Sequence, residues 1–243
     1  MSETVEPLQP KPHKPLGHRA YGSIPHLPGS RRGPADWGLS EQQADLLIKQ
    51  TRDKHDVVVV QEKLDGSCVS VAKLDGQLVP LIRAGYAAIT SNYEQHRHFH
   101  NWVLANYDKF DGLLQEGERV CGEWLMEAHG TRYDLPHDPF VAFDLMQGIV
   151  RLPVLTVEER CQKYGIVVPR RLHIGGAISI EAVLEMLEPS GHGALDGVEG
   201  AVWRMERKGS VDFLGKYVRH EKEDGKYFTQ KTGQPTIYNW KPQ

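Results

Sequence analysis

The sequence predicts an α+β fold, mostly antiparallel sheet with helices packed outside it. Three observations lead to this prediction. Valine-rich apolar runs that are typical of strands recur along the chain. Two pairs of these runs are joined by the short turns Asp75-Gly76 and Lys208-Gly209, which favour antiparallel hairpins. Segments with the apolar stripe of a helix lie between the strands.

Length and composition describe an ordinary globular protein. The 243 residues suit one large domain or two small ones, and 40% are hydrophobic and 25% charged. No apolar run is long enough to span a bilayer, and the N-terminus has no signal-peptide core. The three cysteines form no CxxC pair, which argues against a disulfide framework or a zinc site. We therefore expect a cytoplasmic protein without membrane contact.

The N-terminal part of the chain has few signals for regular structure. Residues 1–18 are expected to form a flexible leader, because their first sixteen are rich in proline and lysine. Residues 21–38 contain too many turn formers for a helix or a central strand. A helix should follow, with Ser40 as its N-cap and Gln43 completing a capping box.

Strands and helices then follow in order. Residues 57–71 read as a buried strand that continues into the Asp75-Gly76 hairpin, and residues 92–110 have the stripe of an amphipathic helix. Residues 118–126 and 139–146 are strand-like. The next helix should start at a Thr156/Glu159 capping box and stop at Gly165. A helix over 179–187 and two strands over 196–219 complete the pattern.

The buried strand "VVVVQEKLDGSCVSV" contains charged residues, which are unusual in a hydrophobic core. Its middle contains Glu62, Lys63 and Asp65. Lysine is almost never fully buried unless it forms an ion pair or has a catalytic or binding role. Burial would lower the pKa of Lys63 and make it a nucleophile, whereas Asp65 alone would raise that pKa. A divalent cation held by Asp65 resolves the conflict, because its charge favours the neutral amine.

This K-x-D-G sequence resembles motif I of the covalent nucleotidyltransferases, the polynucleotide ligases and mRNA capping enzymes. There the lysine attacks the α-phosphorus of a nucleotide and holds the monophosphate through a phosphoramide bond. Taken alone the motif is weak, since Lys-Leu-Asp-Gly recurs at 73–76 in a hairpin turn.

Five further motifs of that superfamily have candidates here in the same order, and chance does not readily produce such an order. They are Arg83 (motif Ia), Glu123 (III), Phe143 (IIIa), Glu199 (IV) and Lys216 (V). The resemblance implies catalytic, nucleotide-binding and metal-binding groups. They are Lys63 and Lys216 for catalysis; Glu62, Arg83, Glu123, Phe143 and Lys216 for the nucleotide; and Asp65 and Glu199 for the metal.

A narrower resemblance, over roughly residues 20–220, is to the ATP-dependent RNA ligases. It rests on "GEWLMEAHGTRYDLPHDPFVAFDL" and on "YGSIPHLPGSR" ahead of motif I. It implies a nucleotidyltransferase (ATP-grasp-like ligase adenylation) fold over residues 19–220. It also implies ATP with Mg²⁺ or Mn²⁺, covalent AMP on Lys63, and RNA ends as partners. Nicked duplexes, splinted duplexes and DNA strands stay open, as does the oligomeric state.

Two other functions remain open. One is a DNA ligase or a capping-type enzyme, which labelling of Lys63 with ATP or GTP would distinguish in part. The other is a module that binds nucleotide or RNA without sealing ends. Residues 221–243 are expected to be a tail too short for an OB-fold or a helical domain. With a net charge of −3, any nucleic-acid contact must use a local basic groove.

Two smaller features lead to predictions about the same region. Strand alternation places Arg219 on the face opposite Lys216, so we do not expect both to reach one phosphate. His96, His98 and His100 fall in a helical pattern, which favours a solvated helix surface over a metal site.

Overall fold

The computed structural model describes residues 13–241, which contain nine strands. They are β1 (Asp56–Lys63), β2 (Ser67–Leu74), β3 (Gln77–Ile82), β4 (Glu118–Trp124), β5 (Phe140–Gln147), β6 (Val150–Arg151), β7 (Arg171–Gly175), β8 (Gly200–Arg207) and β9 (Ser210–Val218). They form a four-stranded sheet, β7-β1-β8-β9, and a five-stranded sheet, β3-β2-β4-β5-β6. Neighbouring strands run antiparallel throughout both sheets, which confirms the predicted α+β class.

Short helices cover the outer faces of the sheets. They are α1 (Glu41–Ile48), α2 (Glu94–Ala105), α3 (Tyr107–Leu113), α4 (Val154–Lys163), α5 (Ile180–Glu185) and α6 (Thr229–Thr232), with a 3₁₀ turn at Ala88–Thr90. One core joins α2, α3 and α4 to the five-stranded sheet around Phe99, Phe110 and Trp124. A second core joins α1 and α5 to the four-stranded sheet around Leu47 and Trp203. No helix within residues 13–241 is long and apolar enough to cross a membrane.

The predicted turns and the first cap are confirmed. Asp75 and Gly76 both have positive φ, at 50° and 71°, as a type I′ hairpin requires. Lys208 and Gly209 adopt the same signs, at 50° and 77°. The Ser40 side chain accepts a hydrogen bond from the Gln43 amide, at 3.2 Å, and so caps α1. The Gln43 side chain accepts from the Ser40 hydroxyl and not from the Ser40 amide, so the predicted capping box is only half formed.

Two predicted helix boundaries are wrong, and each has a physical reason. Helix α4 begins at Val154, so Thr156 lies inside it and forms no capping box. The cap comes instead from Glu206, whose carboxylate accepts the Val154 N–H at 2.6 Å. The helix predicted over 92–110 divides in two at Asn106, whose side-chain amide donates to the Trp102 carbonyl at 2.9 Å and competes with the helix backbone.

The structure describes the last six residues of the predicted leader and nearly all of the predicted tail. Residues 1–12 of the leader lie outside the described residues. Side-chain contacts of Asn239 and Trp240 attach the described part of the tail, residues 221–241, to the rest of the fold. Asn239 accepts from the Tyr133 amide and donates to the Leu125 carbonyl, each at 2.9 Å, and the Trp240 ring meets Trp124 at 5.9 Å.

Candidate active site

The K-x-D-G turn joins the two sheets, so the single strand predicted over 57–71 is wrong: it is two strands, β1 and β2, which the turn separates. Strand β1 lies between β7 and β8, and β2 lies between β3 and β4, so residues 64–66 connect interior strands of different sheets. Gly66 is required for this passage, because a Cβ there would lie 2.5 Å from the Trp124 carbonyl oxygen. Lys63 therefore ends β1 at the base of the cleft between the sheets.

A cavity of about 940 Å³ opens at this place. Every site residue predicted from the sequence lines it, namely Glu62, Lys63, Asp65, Arg83, Glu123, Phe143, Glu199 and Lys216. The structure thus brings together eight residues from six separate segments of the chain. Their individual roles stay predictions.

Lys63 forms an ion pair at the centre of the cavity. Its Nζ donates to Glu199 Oε2 at 2.5 Å and to the Leu64 carbonyl at 3.2 Å. The sheet register places this pair, because Lys63 lies opposite Gly200 and Glu199 directly precedes that residue. Strand pairing therefore delivers the predicted motif IV carboxylate to the predicted nucleophile.

Burial alone does not activate this lysine. Burial lowers the pKa of Lys63, but the charges of Glu199, Glu123 and Asp65 outweigh it and raise that pKa above its ordinary value. Burial in turn raises the pKa of Glu123 and of Glu199 to about 7, and Asp65 adds to the rise at both. Without a bound cation the carboxylates therefore favour the protonated amine, which is the conflict that the sequence predicted for Asp65.

The donor set fits a divalent cation. One oxygen of Asp65 accepts the Gly130 amide at 2.8 Å and one oxygen of Glu199 accepts Lys63. The second oxygen of each has no protein donor within residues 13–241. Across the same residues, no three acidic, histidine or cysteine side chains cluster as a complete metal site. Mg²⁺ suits such a place, because it binds through one or two carboxylates and fills its shell with water and phosphate oxygens.

Phe143 is held in place from both sheets. Its ring meets Tyr21 edge to face, with centroids 5.0 Å apart. Its backbone carbonyl accepts from Arg204 of β8 at 3.3 Å, and Arg204 also donates to Asp144 at 2.6 Å. Tyr21 donates to the other oxygen of Asp144 at 2.6 Å. This buried network fixes the aromatic ring at the edge of the cavity.

The other side chains predicted to bind the nucleotide form hydrogen bonds with different parts of the protein. Both oxygens of Glu62 accept hydrogen bonds from the loop after α5, at 2.6 Å from the Ser190 hydroxyl and 2.9 Å from the Gly191 amide. Glu123 accepts the Gly66 amide at 3.0 Å. Arg83 donates to the Ser23 hydroxyl at 2.8 Å and has no carboxylate partner within residues 13–241.

Lys216 forms no salt bridge in the described part of the chain. Burial, and then the charge of Lys63, lower its pKa, although the charges of Asp36 and Glu199 act to raise it. Its backbone pairs with the N-terminal segment, since its amide donates to the Pro25 carbonyl at 2.9 Å. Arg219 instead pairs with Glu188 and Glu221 and does not line the cavity, as strand alternation predicted.

Sequence reasoning missed two walls of the cavity. The turn-rich N-terminal segment supplies Arg19, Tyr21 and His26, and the tail supplies Asp224 and Phe228. The resemblance of residues 21–31 singled out that segment as a whole, but no local pattern shows which side chains of it or of the tail line the cavity, because their placement depends on contacts far along the chain. His96 also lines the cavity and is partly buried, so its assignment to a solvated helix surface is wrong.

Comparison with solved structures finds RNA ligases of low identity. An archaeal ATP-dependent RNA ligase is 23% identical, with a TM-score of 0.47, over 79% of this chain and 48% of that chain. A Naegleria gruberi RNA ligase with PPi is 14% identical, with a TM-score of 0.55, over 96% and 65%. A mutant of the Naegleria gruberi enzyme with ATP and Mn is 16% identical, with a TM-score of 0.54, over 80% and 59%.

The two Naegleria gruberi similarities support the fold. The chain spans about half the length of the archaeal ligase. The sequence matches none of the curated proteins with which it was compared. A family model described as RNA ligase matches residues 56–218, from the start of β1 to the end of β9. Because this match spans well over half of the 243 residues, the chain belongs to the RNA ligase family.

Proposed function

We propose that the protein is an ATP-dependent RNA ligase, which joins an RNA 3′-hydroxyl to a 5′-phosphate. The observation that carries this proposal is the convergence of all eight motif residues on one cavity, with Lys63 paired to Glu199 at its centre. A cavity of about 940 Å³ is large enough for a nucleoside triphosphate.

Lys63 is the proposed nucleophile of the first step. Its neutral amine forms a bond to the α-phosphorus of ATP while the bond to the bridging oxygen breaks, so pyrophosphate leaves and the amine loses a proton. The RNA 5′-phosphate then takes the AMP from lysine. Finally the 3′-hydroxyl attacks the activated 5′-phosphorus, the phosphodiester forms and AMP leaves.

Asp65 and Glu199 are the proposed holders of Mg²⁺ or Mn²⁺. A bound divalent cation would supply positive charge that stabilises the phosphoryl oxygens and offsets the carboxylates around Lys63. The Naegleria gruberi structure with ATP and Mn supports this choice of ligand.

The other cavity residues match parts of a nucleotide. Phe143 offers a fixed ring for base stacking, and Glu123 is an acceptor for ribose hydroxyls. Arg83 and Lys216 form no salt bridge within residues 13–241, and such cations suit phosphate oxygens.

Covalent labelling tests the proposal. The protein is incubated with Mg²⁺ and α-labelled ATP, and label that stays on the denatured chain, resists alkali and is released by acid, as a phosphoramide bond requires, is measured. Wild type should take up label and Lys63→Ala should take up none. Lys73→Ala is a matched control, because it changes the first residue of the second Lys-Leu-Asp-Gly sequence, in the hairpin at 73–76. Label on Lys63→Ala at the wild-type rate would refute the assignment.

The alternatives give different outcomes. Labelling by GTP rather than ATP would indicate a capping-type enzyme. Labelling by ATP with sealing of DNA and not RNA would indicate a DNA ligase. Binding without any labelling would indicate a module without sealing activity. The cytoplasmic location, and the choice among nicked, splinted and single-stranded ends, stay predictions.

A further inference from the structure

One wall of the cavity consists of residues that none of the motifs includes. It contains His96 of α2, His129 in the loop after β4, and Phe228 just before α6, and all three line the same cavity as Lys63. The rings of His129 and Phe228 meet edge to face, with centroids 4.7 Å apart and planes at 71°. We call these three residues the ring wall.

Hydrogen bonds indicate that His129 is neutral. The Ser67 hydroxyl donates to Gln95 Oε1 at 3.0 Å, which leaves the Gln95 amide nitrogen as a donor. That nitrogen lies 3.4 Å from His129 Nε2, so Nε2 accepts and the ring proton is on Nδ1. No acceptor for the Nδ1 proton is found within residues 13–241. His129 therefore offers a free N–H donor at the cavity.

The ring wall as a whole is uncharged at neutral pH. Burial lowers the pKa of His129, and it lowers the pKa of His96 to about 4. His96 Nδ1 shares a hydrogen bond of 2.7 Å with the Ser91 hydroxyl. A neutral aromatic surface with polar ring nitrogens suits a base and its ribose rather than a phosphate.

The cations of the cavity belong to other segments. Arg19, Arg83 and Lys216 line it, and none of them has a carboxylate partner within the described residues. Phe143, the proposed stacking partner of the ATP base, packs with Tyr21 and not with the ring wall. The cavity thus has a second aromatic surface, separate from the first.

We propose that the ring wall is a binding subsite for a terminal nucleoside of the RNA at the ligation junction. Phe228 would supply a face for stacking, and His129 Nδ1–H would donate to a base or ribose oxygen. This inference rests on the proposed function, and it adds a place for RNA that the motifs do not identify. Either the donor nucleoside or the acceptor nucleoside has the required chemistry.

Binding of a short fluorescent 5′-phosphorylated RNA tests the subsite. Loss of one stacking contact, worth about 1–3 kcal/mol, corresponds to a dissociation constant raised about 5- to 150-fold. We expect a rise in this range for Phe228→Leu, whereas Phe228→Tyr keeps the ring and should stay within about twofold of wild type.

Tyr227→Phe is the matched control. It removes the hydrogen bond from the Tyr227 hydroxyl to Asp196, which anchors the tail, without changing a residue that lines the cavity. Its affinity for RNA should equal that of wild type. Wild-type affinity in Phe228→Leu, or an equal loss in Tyr227→Phe, would overturn the inference.

Two arms distinguish the donor from the acceptor. In the first, AMP transfer to RNA with a blocked 3′ end is measured, and a defect of Phe228→Leu there assigns the donor nucleoside. In the second, pre-adenylylated RNA is sealed to an acceptor, and a defect confined to this arm assigns the acceptor. Labelling of Lys63 by ATP is followed in parallel. Its absence in wild type would refute the proposed function, whereas the RNA affinities would still decide the subsite.

Discussion

At the scale of single residues, charge balance governs the site. Three carboxylates surround the ammonium group of Lys63, and together they raise its pKa although burial opposes them. The nearest, Glu199, lies 136 positions away along the chain. Only the neutral amine can attack a phosphorus atom, so the protein must offset these carboxylates before the first step.

The rate of Lys63 labelling should therefore rise with pH. The folded pKa of Lys63 is raised, so the neutral fraction keeps growing through the alkaline range. Higher Mg²⁺ should shift the profile to lower pH, because the cation opposes the carboxylates. Single-turnover labelling from about pH 6.5 to about pH 9.5, at two Mg²⁺ concentrations, measures this. A rate that is flat or falls over that range would contradict the prediction.

Phe143 and Glu123 allow a test of the nucleotide contacts. Phe143→Ala should weaken binding of an α,β-methylene analogue of ATP by about 1–3 kcal/mol through lost stacking, and Phe143→Tyr should be nearly harmless. Glu123→Gln should cost less than Glu123→Ala, since glutamine keeps one acceptor for a ribose hydroxyl. Titration calorimetry measures each affinity. Unchanged affinity in both alanine variants would assign these residues to packing.

At the scale of elements, the segment after β9 forms part of the main fold. Trp240 packs on Trp124, which is fully buried in the core of the five-stranded sheet. Lys222 is buried and donates to the carbonyls of Asp196 and Gly197. These contacts hold Asp224 and Phe228 at the cavity, so a segment expected to be a simple tail builds a wall of the site.

Trp240→Ala should lower the free energy of unfolding by about 1–2 kcal/mol. The value is smaller than for a fully buried tryptophan, because Trp240 is only partly covered. Ile149→Ala is the control, since Ile149 is 84% exposed and should have little effect. Urea denaturation of both variants measures the difference. Equal stability of the two would mean that the tail adds nothing to the core.

At the scale of the whole molecule, the site depends on how the two sheets face each other. The K-x-D-G turn links them at one point, and the Arg204–Asp144 ion pair links β8 to β5 at another. Both side chains of that pair are almost fully buried, at 3% and 0% exposure. Breaking such a pair is strongly destabilising, because one charge is left buried without its partner.

The charge of the molecule predicts how salt affects each reaction. Labelling of Lys63 needs the cavity alone, whereas sealing needs two RNA ends held by cations that meet phosphates. Because the net charge is −3, we expect these cations to be the ones that line the cavity, such as Arg19, Arg83 and Lys216. Labelling should stay efficient at moderate salt while sealing falls steeply between about 50 and about 200 mM. Parallel, shallow curves for the two reactions would contradict this.

The resemblance to the RNA ligases singled out the eight cavity residues, and the sequence by itself determined the α+β class and the hairpin turns. These depend on local features, since alternation assigns a residue to a face and a turn requires particular residues. The order of the motifs then identified the family without any distances.

The tertiary structure alone decided the pKa of Lys63, the cap of α4 and the two missed walls of the cavity. Each depends on groups that are distant in sequence and close in space, such as Glu199 beside Lys63 and Glu206 at Val154. Electrostatic interaction depends on distance and burial, and strand pairing and packing create both. No periodicity in the chain encodes them.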